Sequence, residues 1–138
     1  MSAIYFESSA VVHWLLGQSR AAEVRQRVDQ AKVVLTSAFT VTETERLLIR
    51  AEGQRVIKGG DAQRLRGLLN RAQASWTRMA VTSDVLARAG RAFPVEPVRT
   101  LDAIHLATAL EFVAAYPDLQ VLSFDERVLS NAEALGIA

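Results

Sequence analysis

Cysteine is absent from the 138 residues. That absence removes disulfides, thiolate nucleophiles and cysteine-ligated zinc together, and it suits a reducing cytoplasm, the compartment expected here. Histidine and lysine are scarce, with two copies of each (His13, His105, Lys32, Lys58). The longest apolar runs, such as residues 10–16, fall well short of a bilayer span. The opening Met1-Ser2-Ala3-Ile4 has no basic segment ahead of an apolar stretch, so no signal peptide is expected. Repeats and low-complexity linkers are missing too, and the chain reads as one domain over 1–138.

What is present points to a soluble, folded chain: half the residues are apolar and 22% are charged. The net charge of +1 hides a local bias. Between Arg46 and Arg78 stand eight basic residues against two acidic ones, Glu52 and Asp61. Such an excess can meet a phosphate backbone. It can equally be the solvated face of helices in an arginine-rich chain, since fourteen of the sixteen basic residues are arginine.

Short β-branched or apolar runs at 3–6, 32–36, 79–81 and 119–124 read as strands. Helical spacing covers 10–16, 21–31, about 39–51, about 61–75, 83–91, 100–114 and 126–135. Ser8 and Ser9 suit the cap of the first helix, and Gly136 stops the last. Strands alternating with helices predict an α/β sandwich, with a mainly parallel central sheet of four or five strands and helices on both faces.

In such a sheet, functional groups gather beyond the carboxyl ends of the strands. Glu7 ends the first strand, and Glu43 lies early in the helix after the second. Asp102 opens the helix at Thr100, and Asp125 ends the last strand. Each has an ordinary explanation. Glu43 follows Thr40 at capping-box spacing, and Asp102 and Asp125 suit helix N-termini. Glu7, directly after an apolar strand, is costly to desolvate without compensation. As a set, neighbouring carboxylates either hold protons or hold a cation. Oxygen donors favour a hard ion such as Mg²⁺ or Mn²⁺, which orients a phosphodiester and lowers the pKa of a bound water.

Four segments also resemble the PIN-domain family, in particular its VapC-like toxins. They are the opening Ile4-Tyr5-Phe6-Glu7-Ser8-Ser9, the stretch from Thr36 to Glu43, Arg99-Thr100-Leu101-Asp102-Ala103-Ile104-His105-Leu106-Ala107, and Val121-Leu122-Ser123-Phe124-Asp125. They run in the family's order from first strand to last. The resemblance implies a PIN-like three-layer sandwich and a Mg²⁺- or Mn²⁺-dependent endoribonuclease, the toxin of a toxin–antitoxin pair. It also implies a homodimer and an antitoxin protein whose tail occupies the acidic groove, with DNA reached only through that antitoxin. It assigns metal ligation to Glu7, Glu43, Asp102 and Asp125, and support of the first acid and the scissile phosphate to Ser9. Arg46 and Arg50, one and two turns past Glu43, are the preferred RNA phosphate contacts.

One position departs from the pattern, because the family has aspartate where this chain has Glu7. The extra methylene moves the carboxylate by about 1.5 Å, and misplacement on that scale can cost about 100-fold in rate. An alternative is therefore a catalytically weakened PIN module that acts through antitoxin or RNA binding. A receiver or dehalogenase-like phosphatase fits poorly, as Glu7-Ser8-Ser9 lacks the aspartate nucleophile and no lysine lies near the last strand. His105 and His13 read as packing residues, and Ser8 as a cap. Trp76 and Tyr116 read as buried, and Asn131 is a lesser candidate for the groove.

Overall fold

The structure is a computed structural model and describes residues 2–138. Four strands, β1 (Ala3–Phe6), β2 (Val33–Ser37), β3 (Thr77–Met79) and β4 (Gln120–Leu122), form one parallel sheet in the order β3-β2-β1-β4. Register runs Tyr5 to Leu35, Tyr5 to Val121 and Ser37 to Met79. Seven helices surround it among the described residues: α1 (Ser8–Leu15), α2 (Ala21–Gln30), α3 (Ala38–Gly53), α4 (Gly59–Gln73), α5 (Ser83–Ala89), α6 (Thr100–Val113) and α7 (Glu126–Ala134). None is long and apolar enough to cross a membrane.

The period-two geometry of a strand sorts the core into two layers. Ala3, Tyr5, Leu35 and Val121 face one side, where Leu106, Ala109 and Phe112 of α6 and Val128 of α7 cover them. Ile4, Phe6 and Leu122 face the other, against Val11 and Leu15 of α1, Val24 of α2, Leu48 of α3 and Leu69 of α4. β1 is central and buried on both faces, so it reads as a continuous apolar run rather than an alternating one. The three-layer α/β sandwich expected from the sequence is therefore present.

Element ends shift by one or two residues in several places, and two of the differences have a clear cause. β3 lies two residues earlier than 79–81, because buried Trp76 packs edge-on against Phe6 and fixes where the strand begins. Its far end is set by Thr82, whose hydroxyl accepts from Val85 N and starts α5. The cap of α1 is Glu7 rather than a serine, which puts Ser8 and Ser9 inside the first turn.

The carboxyl ends of β1 and β2 are tied by a buried threonine. The Thr36 hydroxyl donates to the Phe6 carbonyl at 2.6 Å and lies 2.8 Å from the Thr40 hydroxyl. The bond joins the strand that leads to Glu7 to the one that leads into α3. Thr36→Val deletes it without changing side-chain shape, and should cost about 1–2 kcal/mol of unfolding free energy in urea denaturation.

Candidate active site

All four acidic positions lie at the carboxyl edge of the sheet and line one groove of about 760 Å³. Glu7 is nearly inaccessible and serves as N-cap of α1, its Oε2 accepting from Ser9 N at 2.7 Å. The same oxygen accepts from the Ser123 hydroxyl at 3.1 Å. Ser123 Oγ accepts in turn from Asp125 N at 3.0 Å and lies 3.2 Å from the Ser9 hydroxyl. Phe124 N donates to Ser9 Oγ at 2.8 Å. With Glu7 ionised the protons run one way: Ser9 donates to Ser123, and Ser123 donates to Glu7. Ser9 thus braces the ends of β1 and β4 under the first acid. Burial raises the Glu7 carboxyl above its ordinary value, and His105, Ser9 and Ser123 offset part of that rise.

Asp102 and Asp125 are held differently. Asp125 caps α7 through Arg127 N and Val128 N, as its position predicts. Asp102 stands in the first turn of α6 but takes its bond from a side chain. Arg99 Nε donates to Asp102 Oδ2 at 3.1 Å, and its Nη2 donates to Asp125 Oδ2 at 3.3 Å. One guanidinium spans both carboxylates.

Glu43 belongs to a third arrangement. The N-cap of α3 is Ser37, so Thr40 and Glu43 do not form a capping box. The Thr40 hydroxyl is buried beside Thr36 instead. Oε1 of Glu43 lies 2.8 Å from His105 Nε2, and His105 Nδ1 lies 2.8 Å from the Tyr5 hydroxyl. Burial first, and the Glu7 charge second, push the Tyr5 phenol well above its ordinary range, so it keeps its proton and donates. That leaves the Nε2 proton for Glu43. The Phe39 ring lies over the imidazole with centroids 4.6 Å apart. His105 is buried, as a packing residue should be, yet both of its nitrogens also work in fixing an acid of the groove.

Other residues singled out from sequence fall into place. Arg46 and Arg50 line the groove with Glu43. Ser8 Oγ is 3.4 Å from His105 Nε2, whose proton Glu43 takes, so no base activates this serine. His13 borders the groove and packs edge-on against Phe124, while Trp76 is core. Tyr116 is half-buried against Phe112. Asn131 sits away from the groove, clamping Val95 N and O at 2.9 Å each. Sequence reasoning gave no role to Arg99, Ser123 or Tyr5. The available signal for Arg99 was its spacing of three from Asp102 at a helix start.

Among the described residues no three histidine, aspartate or glutamate side chains close on one point as a ready cation site. The donor chemistry nevertheless fits a hard divalent cation. All four donors are carboxylates, two of them already share a positive charge, and Glu7 is buried with a charge only partly compensated.

A family model of the PIN domain matches residues 4–135. The chain belongs to the PIN-domain family. Over its whole length this PIN domain is 33% identical to "Ribonuclease VapC46" of Mycobacterium tuberculosis (strain ATCC 25618 / H37Rv), covering 96% of that protein. Its fold resembles that of M. tuberculosis VapC20, described as a sarcin-ricin loop cleaving toxin. The TM-score is 0.68 at 20% identity, with 98% of this chain and 96% of the other covered.

The raised Glu7 fixes the sign of a pH effect. The stability tied to a protonated Glu7 is complete below its ordinary value of 4.5 and is lost as pH rises through the higher folded value. Above that folded value the native protein therefore carries a buried ionised group that Glu7→Gln lacks. In a melting series across pH, the metal-free variant should gain a few degrees over native as pH rises through that value, with the gain vanishing below the ordinary carboxylate range. A variant that melts no higher than native at any pH would show that the charge is fully compensated.

Proposed function

We propose that this PIN domain is a divalent-cation-dependent endoribonuclease and the toxin of a toxin–antitoxin pair, working in the cytoplasm. The observation that carries the reading is the meeting of Glu7, Glu43, Asp102 and Asp125, from four distant segments, in one groove bordered by Arg46 and Arg50. The relative named a ribonuclease supports it across the full length of the chain.

Glu7, Asp102 and Asp125, with Glu43 directly or through water, are the residues that would hold Mg²⁺ or Mn²⁺. When bound, such an ion supplies a low-pKa water and a Lewis acid for phosphodiester hydrolysis. The remaining work belongs to the chain. Arg46 and Arg50 extend from α3, the helix that carries Glu43, and bind RNA phosphates as forked donors. His105, with its proton held on Nε2 by the Tyr5 hydroxyl, fixes one oxygen of Glu43 and leaves the other to the groove. Ser9 and Ser123 fix Glu7 by the same logic. Apolar Val12, Leu47 and Leu101 line the groove beside the acids, where they limit water access. The proposed partners are RNA, a cognate antitoxin protein that fills the groove, and a second copy of the chain.

The purified protein should cleave a structured RNA panel with Mn²⁺, and EDTA should stop it. Asp102→Asn and Glu43→Gln should each lower the rate by about 100-fold or more, as read by gel-resolved initial rates. Glu7→Asp serves as a comparison. If native protein and Glu7→Asp are both inert while the antitoxin still binds, the binding-module reading replaces the enzyme.

A further inference from the structure

Arg99 is the one cationic side chain in hydrogen-bond contact with two acids of the groove, among the described residues. Its backbone is held. Glu96 accepts from Phe93 N and Val98 N at 2.8 Å each, and Asn131 clamps Val95 on both sides, so the loop leading to Arg99 is fixed just before α6 begins. The Arg99 carbonyl accepts from Ala103 N at 2.9 Å as the first turn of that helix. The side chain is different: it is 66% exposed, while those of Asp102 and Asp125 are 9% and 22% exposed. A rigid stem and a solvated head form a group that can leave without moving the fold.

The bond pattern indicates what that head does. Two carboxylates on separate helices repel when both are ionised and no cation lies between them. The Arg99 fork places one positive charge there, using Oδ2 of each acid. A divalent ion brings twice the charge in a smaller volume and needs oxygens of the same pair. The guanidinium and the ion cannot hold the same lone pairs at once.

We infer that Arg99 is a resident counter-cation, a positioning residue that keeps Asp102 and Asp125 together until a divalent ion displaces it. This rests on the acidic groove being the cation site, as proposed above. Displacement frees the guanidinium at the mouth of the groove, in position to meet an incoming RNA phosphate.

The alternative role, Arg99 as a fixed part of the cation site, predicts the opposite sign. The test is Mn²⁺ titration of the full chain without RNA, read by the EPR signal of free Mn²⁺, for native protein, Arg99→Gln, Arg99→Lys and Asp102→Asn. Removing the competitor should tighten Mn²⁺ binding in Arg99→Gln by about tenfold, the equivalent of about 1.4 kcal/mol. Arg99→Lys keeps the charge and should stay within about threefold of native. In EDTA, Arg99→Gln should melt lower than native, and Mn²⁺ should restore it. Unchanged or weaker Mn²⁺ binding in Arg99→Gln, with binding still lost in Asp102→Asn, overturns the counter-cation role alone. Native-level binding in Asp102→Asn, or no binding in either native protein or Arg99→Gln, overturns the cation site and this inference together.

Discussion

Four carboxylates at one edge of a parallel sheet repel each other, and their charge has to be answered within a few ångströms. Three separate devices provide that answer. Glu7 is held by backbone and serine donors, Glu43 by an imidazole proton, and Asp102 with Asp125 by a shared guanidinium. Only the last is both charged and largely solvated. Each acid therefore has a partner as the groove stands, and one of those partners is replaceable. That suits the proposed entry of a hard ion.

The fold supplies these devices through its topology. With β1 in the middle of the sheet, the turn after it faces the turn after β4 on one side and the start of α3 on the other. Ser123 can then reach Glu7, and Thr36 can tie β2 to the end of β1. α6 crosses the face carrying Tyr5, which brings His105 between that phenol and Glu43. Core residues and site residues share elements, so the position of each acid follows from packing two or three residues away.

The layered fold was legible in the sequence because strand and helix periods alternate cleanly, and because the four motifs appear in order. The acids were legible because each falls at the end of an element, where carboxylates are informative. What gripped them was not. Ser123 and Ser9 are 114 positions apart, and nothing in either local sequence announces a bond between them. His105 read as packing because a histidine on an apolar helix usually is, and burial proved compatible with a second role. The capping box at Thr40 was a sound local inference overridden by tertiary structure, since the strand end delivered Ser37 to the cap instead. Glu7 as a cap was missed because serines are the commoner choice and two of them stood next to it. β3 slipped by two residues because the anchoring side chain, Trp76, precedes the strand it places.

The proposed divalent-ion site draws on the four acids that line one groove and on the guanidinium that two of them share. The most direct measurement is a crystal of the metal-free protein soaked in Mn²⁺, with diffraction collected to locate manganese by its anomalous signal. The prediction is a peak between Asp102 and Asp125 on the Glu7 side of the groove, with the Arg99 side chain turned away from both. Manganese absent from the groove, with Arg99 still forked across the two aspartates, would contradict it.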